Sequence, residues 1–340
     1  MRDGRDGAPL LTVEKLCVHF NNGRQDVQAT RDIAFSVQPG ERVGIVGESG
    51  CGKTVTGLSL LGLLPRHTSR VTGTALFEGQ NLIGLAPDRL RQIRGRKIGM
   101  IFQEPMSALD PVFTIGSQIG ETIRTHFAVG KKEARQRAIA ALDSVGISSP
   151  ERVHDSYPHQ LSGGMRQRAM IAIALVCEPR LLIADEPTTA LDVTIQAQII
   201  DLLMNLSTRS GTALLFITHD LGVIAETCTR MITMYAGEVV EDAPVDTALV
   251  RPLHPYTSGL LRSLPRLSAP GTKLHSIPGR VPSPQAMPDG CRFEERCPHA
   301  LPDCRRHQVL DQVGPDRRVR CFRHDALTLP GALTEQEALV

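Results

Sequence analysis

Arg42-Val43-Gly44-Ile45-Val46 runs directly into Gly47-Glu48-Ser49-Gly50-Cys51-Gly52-Lys53-Thr54, and this junction decides the fold. The first five residues form a short β-branched run of the kind expected in a buried parallel strand. The next eight match G-x-x-x-x-G-K-[ST] in the setting that gives the pattern meaning, between a strand and a helix start. Glycines let backbone N–H groups curl around phosphate oxygens without Cβ clashes. Lys53 is placed to set its ammonium on the β- and γ-phosphates of a nucleotide, and Thr54 to offer its hydroxyl to Mg²⁺. The helix starting near Thr54 directs the positive end of its dipole at the same anion. Gly47, Ser49, Gly50, Cys51, Gly52, Lys53, Thr54 and Val55 are the expected phosphate contacts.

Working outward, three further runs have strand character: Lys97 to Phe102, Leu181 to Ala184 and Ala213 to Ile217. The second ends in Asp185-Glu186. A strand buried on both faces carries its terminal carboxylates to the sheet edge where ligands bind in such folds. Two adjacent carboxylates repel unless a cation sits between them. Asp185 is therefore expected to hold Mg²⁺, through water, and Glu186 to act as general base or polariser of the attacking water. The strand Leu214-Leu215-Phe216-Ile217 delivers Thr218-His219-Asp220 in the same manner, so His219 can bond the γ-phosphate and fix the water against Glu186.

Phosphate loops occur in kinases, GTPases, motors and helicases, so the loop alone leaves function open. Tyr157-Pro158-His159-Gln160-Leu161-Ser162-Gly163-Gly164-Met165-Arg166-Gln167-Arg168 is more specific, because Ser162 and the N–H groups of Gly163 and Gly164 open a helix and make a second anion site. This segment resembles the signature sequence of the ABC ATPase superfamily. The order of phosphate loop, Ile101-Phe102-Gln103, Leu161-Ser162-Gly163-Gly164, Asp185-Glu186 and Ile217-Thr218-His219-Asp220 resembles it too. Met165 departs from the commonest consensus, which has Gln there, but the phosphate contacts come from the residues before it. The resemblance covers about Leu10 to Val250.

Several expectations follow from the resemblance rather than from the residues alone. Ser162, Gly163 and Gly164 would cap the γ-phosphate of ATP held by the opposite subunit, so that ATP is sandwiched in a dimer. Gln103 would bind Mg²⁺ or the attacking water and release it when the helical subdomain moves. Phe20 would stack on adenine, with a core or edge aromatic as the alternative. Asp192, in Thr189-Ala190-Leu191-Asp192, would belong to the loop through which two cassettes sense each other.

The implied fold is α/β: a P-loop NTPase core of the ABC ATPase type, an inserted helical subdomain over about residues 104–178, and a small loop-rich C-terminal module. The domain division is 1–250 and 251–340, placed where proline becomes dense and periodicity fades (Pro252, Pro255, Pro265, Pro270, Pro278, Pro282, Pro284, Pro288). Lys131 to Val145 and Gly164 to Cys177 read as helices, Leu10 to Phe20 as an edge strand, and no internal repeat of the cassette is present.

Bulk composition bounds the rest. A net charge of +2, 4% aromatics and no Trp argue against a nucleic-acid binder. The most apolar runs, Leu58 to Leu64 and Ile171 to Cys177, are about a third of the roughly 20 residues that span a bilayer. Met1 to Pro9 is polar and lacks a signal-peptide core. These features lead us to expect a cytosolic chain, with any membrane role left to separate membrane-spanning partners; the resemblance implies a peripheral place at the cytoplasmic face of a bacterial inner membrane.

Phe102-Gln103-Glu104-Pro105-Met106-Ser107-Ala108-Leu109-Asp110-Pro111, His254-Pro255-Tyr256-Thr257, Ile277-Pro278-Gly279 and Gly290-Cys291-Arg292-Phe293-Glu294-Glu295-Arg296-Cys297-Pro298 resemble the oligopeptide/dipeptide importer ATPases. That implies an energy-coupling subunit of an importer for peptides or related small solutes. Its expected partners are a second ABC ATPase (heterodimer first, homodimer second), two permeases and an extracytoplasmic solute-binding protein. A coupling helix from a permease should dock on the helical subdomain. The alternative is a soluble ABC ATPase acting on DNA or the ribosome, which would call for a basic face and long insertions that the sequence lacks.

Eight cysteines divide unevenly: Cys17, Cys51, Cys177 and Cys228 are scattered, whereas Cys291, Cys297, Cys304 and Cys321 crowd the last fifth. A short region poor in apolar residues often needs a metal. Four thiolates can hold a [4Fe–4S] cluster or tetrahedral Zn²⁺. The resemblance puts iron–sulfur first, zinc second and free thiols third.

Overall fold

The apolar alternation starting at Leu10 becomes the first strand of an antiparallel sheet. Residues 11–81 lay down β1 (Leu11–Asn21), β2 (Asp26–Val37), β3 (Arg42–Val46), helix α1 (Lys53–Leu60), β4 (Ser69–Phe77) and β5 (Gln80–Asn81). The order β2-β1-β4-β5 makes the strand read as an edge a central one. The second and fourth strands were not legible in advance, because the pairing is broken by bulges. Lys15 and Asp32 take φ of 48° and 47°, and the β1–β2 register slips between Val13 and Leu16. Opposite this bulge Gly73 has φ +99°, and a Cβ there would come 2.3 Å from the Lys15 carbonyl oxygen. Only glycine lets β4 pass so close.

The computed structural model describes residues 7–21, 23, 25–189, 191–264 and 275–332. Met1 to Asp6, Ala190, Pro265 and Pro270, which entered the sequence reading, lie outside the described residues. The chain divides into two units, one drawn from Met1–Val37, Arg42–Gly84 and Phe216–Val340, the other from Gln38–Glu41 and Leu85–Leu215.

The second unit holds α2 (Pro87–Ile93), β6 (Ile98–Ile101), α3 (Pro105–Ala108), α4 (Ile115–His126), α5 (Lys131–Ser144), α6 (Pro150–His154), α7 (Gly163–Leu175), β7 (Leu181–Asp185) and α8 (Val193–Ser210). β6 and β7 pair in parallel from Ile98↔Leu181 to Ile101↔Ala184. Both are continuous apolar runs, as buried parallel strands are. β8 (Ala213–Ile217) begins in this unit and ends in the first.

The first unit continues with α9 (Leu221–Thr227), β9 (Arg230–Tyr235), β10 (Glu238–Pro244), α10 (Val245–Val250), α11 (Pro255–Arg262) and a hairpin of β11 (Asp311–Gly314) and β12 (Arg317–Val319). Its second sheet contains the order β11-β12-β10-β9-β3. The proline-rich tail is thus more regular than its sequence suggests: it adds two strands to β10 and packs an aromatic cluster under β9. Two of the chain's three tyrosines, Tyr235 and Tyr256, lie 4.6 Å apart by ring centroid. Phe293 meets them edge-on at 5.1 and 5.4 Å. These three rings, with Ala236 and Val240, form a buried core.

Charges are buried here as well. Glu238, Glu241 and Asp242 of β10 are 1%, 1% and 3% exposed. Arg31 Nε reaches Glu238 at 2.6 Å, Arg320 Nη1 at 3.7 Å and Arg292 Nε at 3.9 Å. Arg230 and Arg318 take Asp242 at 2.8 and 2.5 Å, and Arg317 takes Glu241 at 2.7 Å.

His254 caps α11: its Nδ1 accepts the Tyr256 N–H at 3.1 Å, while its own backbone N–H donates to Glu241 at 3.0 Å. Burial, helped by the Arg320 charge, pushes its pKa down from 6.5 to about 3. The unfolded chain takes up this proton near pH 6.5 and the folded chain only near pH 3. The stability tied to a neutral His254 is therefore complete above pH 6.5 and is lost as pH falls, by about 1.4 kcal/mol per pH unit within that window. His254→Asn keeps a capping acceptor and takes no proton. Its urea midpoint should fall less steeply than the wild type's between pH 6.5 and 4. Equal slopes would show that another group governs acid unfolding.

Candidate functional site

In the first unit the phosphate loop is shaped by its own atoms. Lys53, at the start of α1, turns its Nζ back onto the carbonyl oxygens of Gly47 at 2.8 Å and Glu48 at 3.1 Å, with the Cys51 sulfur at 3.9 Å. Gly52, the residue before α1, has φ 97°. Gly47 is indispensable on space alone, since a Cβ would lie 2.1 Å from the Met234 carbonyl oxygen and 2.7 Å from the Cys51 sulfur. Cys51 is buried, and its thiol pKa is raised by that burial. Ser49 and Gly50 are exposed at the tip, and Thr54 and Val55 are partly exposed on the first turn of α1.

The loop is braced from outside. The Cys51 carbonyl accepts the Gly237 N–H at 3.0 Å, and the Glu48 N–H donates to the Tyr256 hydroxyl at 2.9 Å. Phe20 is half-buried near the end of β1, opposite Val27 and Ser69. His219 follows β8 and is exposed. Its neighbour Asp220 caps α9 by accepting the N–H groups of Gly222 at 2.8 Å and Val223 at 3.3 Å.

In the second unit β7 carries Asp185, which is buried, and then Glu186, whose φ is 44°. A non-glycine residue at positive φ is strained and persists where its surroundings fix it. Here Gln103 Nε2 donates to Glu186 Oε2 at 3.1 Å and the Thr189 hydroxyl donates to the same oxygen at 2.9 Å. The structure thus brings Gln103 and Glu186 together. Thr189, in the sequence only a member of the Thr189-Ala190-Leu191-Asp192 stretch, is a further anchor of Glu186. Its spacing of three from Glu186 across a turn (Thr189 N–H to Glu186 carbonyl, 3.2 Å) was the available signal.

Ser162 and Asp192 occupy helix N-caps. Ser162 Oγ accepts the Met165 N–H at 3.3 Å at the start of α7, and Asp192 Oδ1 accepts the Ile195 N–H at 3.0 Å at the start of α8. Such caps satisfy backbone donors that the helix itself cannot. Ser162 and Gly163 are exposed and Gly164 partly so, which leaves this helix start open to an anion. The buried Gln167 one turn on donates to the Pro187 carbonyl, tying the signature helix to the segment after Glu186.

The late cysteines converge without closing. Cys291 N–H donates to the Cys304 carbonyl at 2.8 Å, and Leu301 N–H points at the Cys304 sulfur at 3.3 Å. Burial pushes the Cys291 thiol up to about 12; the Phe293 N–H pulls it partly back, and Cys304, Cys297 and Cys321 push it up again. Burial likewise raises Cys297 to about 11, opposed by the His299 N–H and reinforced by Cys321 and Cys304. Cys321 follows the same pattern with the Arg323 N–H. Yet among the described residues no group of three or more His, Cys, Asp or Glu side chains is drawn together tightly enough to hold a metal ion. The described thiols share one region without the geometry of a formed ligand set.

Residues 30–189 match the family described as ABC transporter, and residues 240–304 match the oligopeptide/dipeptide transporter C-terminal region. The chain is 51% identical over 317 residues, spanning 92% of it and 95% of the relative, to a probable peptide ABC transporter ATP-binding protein of Sinorhizobium fredii. It is 48% identical over 318 residues, 93% and 97% of the two chains, to the oligopeptide transport ATP-binding protein AppD of Bacillus subtilis. Among solved structures, a dimeric ATP-binding cassette in a post-hydrolysis state bound to ADP and Pi is similar at TM-score 0.62 and 28% identity, over 69% of this chain and 98% of that one.

Proposed function

Since the chain belongs to the ABC transporter ATP-binding family, in its oligopeptide/dipeptide branch, we propose that its residues divide the work of transport-coupled ATP hydrolysis as follows. The chain is an ATPase that energises import of peptides or related small solutes. The N–H groups of Gly50, Gly52, Lys53 and Thr54, and the Lys53 ammonium, take the phosphates, with Gly47 and Cys51 shaping the loop. The observation that carries this is the loop itself, already curled with Lys53 bonded to its Gly47 and Glu48 carbonyls. On nucleotide binding Lys53 exchanges those carbonyls for phosphate oxygens. Phe20 stacks on adenine, and Ser49 and Val55 border the phosphates.

Thr54, Gln103 and Asp185 would supply oxygen donors to Mg²⁺, of the hard kind this ion prefers. When bound it neutralises charge between the phosphates. Glu186 accepts the proton of the attacking water, Gln103 and Thr189 hold its carboxylate, and His219 orients the water. Ser162, Gly163 and Gly164 offer their helix start to the nucleotide of a second ABC ATPase, and Asp192 lies at the contact between the two. We favour a heterodimer over a homodimer, acting with two permeases at the cytoplasmic face of the inner membrane and an extracytoplasmic binding protein. A tagged chain pulled from gently solubilised membranes should bring down two permeases and a second ATPase. Recovery of ribosomes or DNA alone would overturn the transport reading.

We also propose that Cys291, Cys297, Cys304 and Cys321 hold a [4Fe–4S] cluster once iron closes them together, with zinc as the second choice. The Cys291 N–H on the Cys304 carbonyl at 2.8 Å and the Leu301 N–H at the Cys304 sulfur at 3.3 Å, which bring two of the four cysteines side by side, support this. Anaerobically purified protein should be brown and absorb near ~400 nm. A colourless sample that gains no iron on reconstitution would rule it out.

A further inference from the structure

We propose that Arg296 is a positioning residue for ATP binding, which masks the negative charge of Glu48 inside the phosphate loop and fixes the outer side of that loop. This rests on the reading of residues 47–54 as the ATP-phosphate site and adds a C-terminal residue to it. Glu48 is a puzzle as it stands in the sequence, because a carboxylate in a loop built for a highly charged anion repels its ligand. The repulsion grows as the local dielectric falls.

The structure answers it with a fork. Arg296 Nη1 meets Glu48 Oε2 at 2.9 Å and Nη2 meets Oε1 at 3.0 Å, a bidentate pair. The Arg296 side chain is 5% exposed and that of Glu48 29%, so this is no solvent-screened surface pair. The guanidinium is itself held in place. Its Nε donates to the Pro278 carbonyl at 2.9 Å, Nη2 to the Ile277 carbonyl at 3.3 Å and Nη1 to the Tyr235 hydroxyl at 3.4 Å. The same loop residue is pinned at two further atoms, its N–H by the Tyr256 hydroxyl at 2.9 Å and its carbonyl by Lys53 at 3.1 Å. Side chains from the far end of the chain therefore set both the charge and the path of the loop at Glu48. A lysine could supply the charge but not the planar fork.

Charge masking makes a signed prediction that a purely structural contact does not. Full-length chain is titrated with ATP in EDTA by calorimetry, and KM and kcat are measured with MgATP. Arg296→Met bares the Glu48 carboxylate and should weaken ATP binding and raise KM by about tenfold, with kcat at saturation changed by less than about threefold. Glu48→Gln removes the charge and leaves Arg296 its carbonyl partners, so it should bind ATP as tightly as wild type or more tightly. The double variant Glu48→Gln/Arg296→Met should return to within about threefold of wild type. Arg296→Met binding ATP within twofold of wild type would overturn the proposal. So would a double variant as weak as Arg296→Met alone, since Arg296 would then act only by holding the C-terminal region. Should Arg296→Met not fold, Glu48→Gln decides: a tenfold loss of ATP affinity there rejects charge masking. Wild-type chain that binds no ATP would instead reject the site assignment on which the proposal stands.

Discussion

Glu186→Gln should lower steady-state ATP turnover by at least about a hundredfold while leaving ATP affinity within about twofold of wild type. The substitution keeps the shape of the side chain and an acceptor oxygen for Gln103 and the Thr189 hydroxyl, which now bond Oε2 at 3.1 and 2.9 Å. What it removes is the charge and with it the capacity to take a proton from water. A positioned base contributes about 10²–10⁴ in rate, so the loss falls on kcat. The strained φ of 44° at this residue gives the same expectation from the backbone, because such strain is retained where a side chain must be held in one direction. Thr189→Val serves as the graded companion. It keeps the carboxylate but removes one of its two described anchors, and should cost about tenfold in kcat without raising KM. Turnover in Glu186→Gln within threefold of wild type would move the base to another residue.

The parts of the fold legible in the sequence are those where one local signal sufficed. A β-branched run into Gly47–Thr54 gives β3, the loop and α1, and apolar runs ending in Asp185 and Ile217 give β7 and β8. The antiparallel sheet was only partly legible. Strict alternation is the signature of a half-buried strand, and β1 and β2 break it with bulges at Lys15 and Asp32. The C-terminal strands are three and four residues long, too short to show a period, and they exist because β10 offers them an edge.

The site divides in the same way. Lys53 and Glu186 are placed by the loop and the strand that carry them, whereas Gln103 is singled out only by the resemblance. Arg296 is not, because its meaning depends on Glu48, 248 positions earlier. The tail's density of arginine looks like a solvated surface in sequence. In the structure Arg292, Arg296 and Arg320 are buried, each against a carboxylate from a distant strand or loop. The acid within the phosphate loop is the available hint: Lys53, the nearest cation in the loop, turns its ammonium to the Gly47 and Glu48 carbonyls, so the carboxylate itself calls for another.

Glu238→Ala should destabilise the first unit by about 3–5 kcal/mol, the range for removing one partner from a buried ion-pair network. Glu238 is the carboxylate on which Arg31, Arg292 and Arg320 converge at 2.6, 3.9 and 3.7 Å. The arginines spend their other N–H groups on carbonyls: Arg31 on Asp289 and Gly290, Arg292 on Ala236, Arg320 on Val239 and Gln308. Those acceptors satisfy hydrogen bonds but supply no negative charge. Burial already drags the Arg292 pKa down to about 10, with Glu238 opposing it. Without Glu238 three guanidiniums remain crowded, with Asp32 left as a carboxylate acting on Arg320, and Gln at this position would restore the shape but not the charge. The contrast is Asp88, whose contact with Arg91 at 3.8 Å is made by side chains 87% and 71% exposed. Asp88→Asn should move the urea midpoint by the equivalent of no more than about 0.5 kcal/mol. Equal midpoints for the two variants would show that the arginine carbonyl bonds alone hold this region. Because Arg31 also ties β2 to the backbone just before Cys291, the damage should reach the phosphate loop. Loosening that tail withdraws Arg296 from Glu48, so Glu238→Ala should raise the KM for ATP in the fraction that stays folded, which Asp88→Asn should not.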